Sequence, residues 1–155
     1  YLRDRQETCR RQIHSVPKKI PTVVAIEWTK PIMIAGNWIP ELIELAGAKP
    51  LFSVSSQNSP YLKWEEILKA DPDYLIIMPC GFNLERTKQE SQFLIENPYW
   101  SNLKSVRSNQ VFITDGNAYF NRPSQRLIDS LEILAEIIHP ELFDFGYKGT
   151  AWNFL

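Results

Sequence analysis

The 155-residue sequence is poor in the residues that most often advertise chemistry, with two cysteines, two histidines, two methionines and six glycines. Cys9 lies in a charged leading segment and Cys80 follows an apolar run, so they make neither a disulfide framework nor a C-x-x-C zinc site. His14 and His139 stand far apart, and neither a metal centre nor a histidine general base is expected. Gly36, Gly47, Gly81 and Gly116 stand singly, without the G-x-G-x-x-G or Walker spacing that cradles a nucleotide phosphate. No serine sits in a G-x-S-x-G elbow and no H-E-x-x-H occurs. Charge of one sign is missing as well: 17 basic residues face 18 acidic ones, for a net −1. No basic block is present, which argues against nucleic acid or an anionic membrane as partner. Nor does any apolar run approach the ~18–20 residues of a membrane span. These absences point to binding, not catalysis.

What remains is an ordinary globular composition, 44 % hydrophobic and 23 % charged, long enough for one domain with one sizeable core. The aromatic residues are more telling. Five Trp, six Tyr and eight Phe are present, and many fall between the periodic runs instead of inside them.

Along the chain, residues 1–20 are charged with a weak helical pattern that ends at Pro17 and Pro21, reading as a linker or as the tail of a helix. Val23 to Trp28 is a β-branched run suited to a buried parallel strand. Ile39, Leu42, Ile43 and Ala46 share one helical face, with Gly47 as the stop. Leu51–Val54 reads as a short strand, Trp64–Ala70 as a short helix, and Tyr74–Met78 as the clearest strand. Asn83 caps a helix running to about Glu96, and Val111–Thr114 is a fourth strand. Ser124 opens the last helix, with Leu127, Ile128, Leu131, Leu134, Ala135 and Ile138 as its stripe. The alternation predicts an α/β fold: a mostly parallel four-stranded sheet flanked by helices on both faces. Residues 144–155 show no periodicity and are expected to lie along the surface or against a neighbour.

In such a sheet, ligands bind outside the carboxyl ends of the strands. The segments there run from Glu27 to Trp38, Ser55 to Tyr61, Pro79 to Asn83, and Asp115 to Pro123. Together they bring aromatic faces and a few amides to one edge, the make-up of a small-molecule site for a large planar ligand. Arg122 is suited to a carboxylate or phosphate on that ligand. Each candidate has a structural alternative. Trp28 and Trp38 suit core packing equally well, Cys80 suits simple burial, Glu27 a salt bridge, and Arg122 the holding of a loop.

The order of Val23–Trp28, GNWIPELIELAGAKPLF (Gly36–Phe52), SPYLKWEEILKADPDYLIIMPCGF (Ser59–Phe82) and the run from Val111 to Phe143 resembles the C-terminal lobe of class III periplasmic binding proteins. These serve ABC importers of vitamin B12, haem and iron–siderophores, and the resemblance covers most of residues 20–143. It implies one lobe of a two-lobed binding protein. Residues 1–19 would be the end of an interlobe helix and a linker, residues 20–143 the ligand-binding lobe, and residues 144–155 a tail. An N-terminal lobe is then expected upstream of Tyr1. The resemblance further implies a periplasmic or extracytoplasmic location and an ABC permease as partner, with Glu65 docking onto it. The helix dipole favours a carboxylate at Glu65 in any case. Arg122 matches a cleft arginine of the vitamin B12-binding members, and Met33 and Trp38 fall near a cleft aromatic. Ser59 or Tyr61 stands where those members carry a cleft tryptophan, while Cys80 and Phe82 have no counterpart there.

The expected ligand contacts are therefore Trp28, Met33, Trp38, Tyr61, Cys80, Phe82, Tyr119, Phe120 and Arg122. No catalytic residue, resident metal or cofactor is expected. The implied ligand is cobalamin or another corrinoid, with haem, an iron–siderophore or a metal chelate as the alternative. A reading from a different class is an intracellular corrinoid-related enzyme or sensor that reuses the fold.

Overall fold

The computed structural model describes residues 1–16 and 19–155. The expected helix end at Pro17 lies outside the described residues. Helix α1 spans Leu2–His14, and strand β1 follows at Thr22–Thr29. A tight turn leads to strand β2, Ile32–Ile34, then to helix α2, Ile39–Leu45, and strand β3, Lys49–Pro50. Helix α3, Trp64–Ala70, precedes strand β4, Tyr74–Ile77. Helices α4 (Leu84–Glu90), α5 (Gln92–Ile95) and α6 (Lys104–Arg107) lead to strand β5, Val111–Thr114. Helices α7 (Gly116–Tyr119) and α8 (Leu127–Ile138) precede the last strand, β6, Trp152–Phe154.

Four strands, β3, β1, β4 and β5, run parallel, as the alternation predicts. Two short antiparallel strands complete the sheet: β2 on the outer end of β1 and β6 on the far side of β5. The second parallel strand lies at Lys49–Pro50, so Leu51–Val54 leaves the sheet as a loop. Neither antiparallel strand announces itself in sequence, since three residues are too few to show a period of two.

The unbroken apolar runs of the parallel strands have a plain cause. Alternate residues face opposite ways, and both faces are covered. Val23, Ala25, Ile76, Met78 and Phe112 enter one core with α2 and α8. Val24, Ile26, Leu75, Ile77, Val111 and Ile113 enter the other with Trp64 and Ile67 of α3, Leu94 of α5 and Leu103. Gly47 ends α2 at φ +80°, and a Cβ there would come within 2.6 Å of Ile13 Cγ2, so only glycine serves. Asn83 caps α4 by accepting from Arg86 N at 2.9 Å, and Ser91 then breaks the helix from α5.

Helix α1 is fastened to α8. Arg5 donates from Nε to Glu132 Oε1 at 2.8 Å and from Nη2 to Asp129 Oδ1 at 2.7 Å. The Tyr147 hydroxyl donates toward the same two carboxylates at 3.2 and 3.1 Å. Burial and these two carboxylates hold the Tyr147 phenol above its ordinary value, and the carboxylates keep Arg5 firmly charged. One turn on, the buried Glu136 carboxylate gathers residues 145–152. It accepts from the backbone N–H of Phe145 at 2.9 Å, Tyr147 at 3.4 Å and Lys148 at 3.1 Å, and from Trp152 Nε1 at 2.9 Å. The tail is thus no loose surface strand. It is folded over a single carboxylate and delivers β6 to the sheet edge.

Candidate functional site

The parallel strands end at one edge, and the segments that follow them build a shallow hollow of about 370 Å³ lined by Glu27, Trp28, Met33, Asn58, Ser59 and Cys80. Trp28 and Met33 are partners in the antiparallel β1–β2 register, so their side chains leave the same face. Cys80 approaches β1 from its other side, where Cys80 N donates to Glu27 O at 3.3 Å. Its thiol is exposed and unpaired. Tyr61 makes a bridge to Met33 and is 67 % exposed at this rim.

One polar tie shapes the hollow. The Ser59 hydroxyl donates to Glu27 Oε2 and accepts from Gly36 N at 3.1 Å. Three chain segments, the end of β1, the turn into α2 and the loop 55–60, are joined at that hydroxyl. Among the described residues, Glu27 therefore has a neutral partner instead of a salt bridge. Gly36 is required by the approach, since a Cβ there would lie 2.6 Å from Gln57 O and 2.8 Å from Ser59 N.

An aromatic wall flanks the hollow. The Trp28 and Phe82 rings lie 5.4 Å apart at 48°, and the Arg86 guanidinium sits 5.0 Å from the Phe82 centroid. Arg86 also pairs with Glu90 at 3.5 Å, and Glu90 Oε1 accepts from the Thr29 hydroxyl at 3.1 Å. Phe82 is thus held between a tryptophan and a tethered guanidinium, a cation–π arrangement. Sequence reasoning passed over Arg86. The signal was its place four residues after Phe82, on the first turn of a capped helix.

The remaining candidates go elsewhere. Trp38 Nε1 donates to Phe120 O at 3.2 Å, and its ring lines a separate groove with Leu2, Leu42 and Leu127. Phe120 is buried at 2 % exposure, and the Tyr119 ring packs edge-on against Tyr147. Arg122 is exposed in the turn before α8. Glu65 is exposed in the first turn of α3, the helix that leads into β4. So the structure brings Trp28, Met33 and Cys80 to the hollow with Phe82 against Trp28 and Tyr61 bridged to Met33, leaves Arg122 exposed before α8, and turns Trp38, Tyr119 and Phe120 toward the lobe's own packing.

A larger concavity of about 590 Å³ lies at the opposite edge, among Ile13, His14, Glu44, Ala48, Pro50 and His139. It stands at the amino ends of the strands. His139 there spends Nε2 on Ala46 O at 2.9 Å. By the topology of parallel sheets the smaller hollow is the better site, despite its size. Among the described residues, no group of three or more His, Cys, Asp or Glu could hold a metal ion.

Comparison with known proteins agrees with this frame. The sequence model of the family described as periplasmic binding protein matches residues 2–118. The high-affinity heme uptake system protein IsdE of Staphylococcus aureus is 25 % identical over 76 residues, covering 49 % of this chain and 26 % of that protein. Among solved structures, the TroA-like periplasmic binding protein FepB of Veillonella parvula aligns over 92 % of this chain and 46 % of its own, with TM-score 0.74 and 21 % identity. The periplasmic vitamin B12 binding protein BtuF of Vibrio cholerae aligns over 89 % of this chain and 51 % of its own, with TM-score 0.70 and 20 % identity. The chain spans about half the length of these structures, and at such identities the likeness is one of fold.

Proposed function

The chain belongs to the periplasmic binding protein family, and from that premise we propose that it is the C-terminal lobe of an ABC importer's substrate-binding protein, holding one side of a corrinoid. The observation that carries this reading is the hollow at the carboxyl edge, where Trp28 and Phe82 offer flat apolar faces beside a few fixed polar groups. Family members are substrate-binding proteins and not enzymes.

In this reading a second lobe closes over the open side of the hollow. A cleft only about 370 Å³ in volume cannot bury a macrocycle of that size alone, so this lobe offers half of a site. Trp28 stacks on the ring with Phe82 supporting it from the side, the Ser59 tie keeps the loop 55–60 out of its way, and Arg122, exposed in the loop after β5, meets a peripheral anionic group. Glu65, exposed in the first turn of α3, presents a carboxylate to an ABC permease once the lobes close. The setting is periplasmic or extracytoplasmic.

Haem is the second reading, favoured by the match to a heme uptake protein. Titration of a polypeptide carrying both lobes with cyanocobalamin, haemin and a ferric chelate separates the readings. A dissociation constant near or below about 1 μM for cyanocobalamin, worth roughly 8 kcal/mol, is the expected result. No spectral or calorimetric response to cyanocobalamin at that level, with a response to haemin, would replace the corrinoid by haem.

A further inference from the structure

Two sulfur-bearing residues line the same hollow from opposite sides of β1. Met33 lies across the β1–β2 ladder from Trp28, and Cys80 follows β4, the strand on the other flank of β1. Neighbouring strands are about 4.8 Å apart, so the two backbones stand within about 10 Å, and both side chains line one concavity. The Cys80 thiol is exposed and in no disulfide. Beside it the Trp28 and Phe82 rings, 5.4 Å apart and tilted 48° to each other, supply an aromatic wall.

A thiolate and a thioether are soft donors, suited to a transition metal and poorly suited to a hard cation or a sugar hydroxyl. Ring stacking explains the two aromatic residues but assigns nothing to the sulfurs. We propose that Cys80 bonds directly to the metal of the macrocycle held in this hollow, with Met33 as a soft contact alongside, so that the lobe recognises the metal as well as the ring. The inference rests on the macrocycle reading above. For an aqua-cobalt(III) corrinoid the step is a ligand exchange. A lone pair on Cys80 sulfur forms the Co–S bond, the aqua ligand departs as water with its own electron pair, and the thiol proton passes to solvent. Cobalt stays in the +3 state, so no oxidant or reductant is needed.

Any exposed thiol exchanges with aquocobalamin, so the measure is acceleration over a free thiol. Mixing the Tyr1–Leu155 chain with aquocobalamin and following the visible absorbance gives the rate of Co–S formation. The expected rate is on the order of tenfold above that of glutathione at equal thiol concentration and pH, because the hollow holds the reactants together. Cys80→Ser abolishes the product, while Cys9→Ala leaves it intact, since Cys9 is 1 % exposed and burial pushes its thiol up to about 11. Trp28→Ala and Met33→Leu keep the Cys80 thiol but bring the rate back toward that of glutathione. A wild-type rate equal to glutathione's, or product formation in Cys80→Ser, overturns the metal–sulfur bond. Cyanocobalamin, whose cyanide keeps the axial position, separates this failure from that of the parent reading. If it protects Cys80 while the rate is no faster than glutathione's, only the bond is overturned. If it gives no protection in a polypeptide carrying both lobes either, the corrinoid reading falls with it.

Discussion

Along α8 and the tail, polar groups answer one another. Arg5 meets Glu132 and Asp129, Tyr147 meets the same pair, and the four acceptor contacts of Glu136 are all used within the lobe. At the carboxyl edge of the sheet the opposite holds: the Cys80 thiol is free, Arg122 is exposed, and Tyr61 is two-thirds in solvent. The first region has no capacity left for a ligand, whereas the second has donors and faces in excess of what the fold consumes. An unsatisfied polar group is costly when buried, whereas at the surface water or a ligand can meet it. Burial and saturation mark the buttress; exposure and surplus mark the site.

The contrast can be broken in stability measurements. Glu136→Ala leaves three backbone N–H groups and the Trp152 indole without their acceptor, and unfolding in denaturant is expected to show a loss of about 3–5 kcal/mol. Glu136→Gln keeps one acceptor oxygen and sets an amide N–H against two of these donors, so it should recover only part of that loss. Arg5→Ala strands the nearly buried Glu132 and is expected to cost about 2–4 kcal/mol, with Arg5→Lys intermediate because lysine lacks the fork. A stability unchanged in Arg5→Ala would mean that α1 is not held by this clamp.

Smaller effects sharpen it. Gly36→Ala drives a methyl into the backbone of residues 57–59, and a loss of about 1–3 kcal/mol is expected together with weakened corrinoid binding by the two-lobed protein. A titration of Cys9 gives a pH signature in the buttress. Its folded value, about 11, lies above the ordinary 9.0, so the neutral thiol favours the native state. The stability it contributes is whole below pH 9 and is lost as pH rises through 11, a fall that Cys9→Ala should flatten. Least of all, Cys80→Ser should leave the unfolding midpoint within about 0.5 kcal/mol of wild type, as expected of a surface residue that the fold does not use. A large loss there would move Cys80 from the site to the scaffold.

Much of the fold was legible because it is written locally. The β-branched run at Val23–Trp28 and the apolar run at Tyr74–Met78 could only be strands buried on both faces, and the stripe on α8 could only face a sheet. The site was half legible. The rule that ligands gather at the carboxyl ends of parallel strands pointed to the edge where the hollow lies, and within it Trp28 and Trp38 carried equal claims. Nothing local distinguishes them. Trp28 is turned to the hollow by its register with Met33, and Trp38 is turned inward by Phe120 O, 82 residues on.

The tail shows the same limit more sharply. Residues 144–155 have no period, yet they fold, because Glu136 supplies acceptors for backbone groups that a periodic element would have paired with itself. The sequence by itself determined the alternation of strands and helices, the two-faced core and the edge at which a ligand would be met, since each depends on spacing between near neighbours. Which aromatics face that edge, that a thiol and a thioether share one hollow there, and that the tail closes the sheet were decided by tertiary structure alone. Those outcomes depend on which distant segments become neighbours, and no local spacing records that choice.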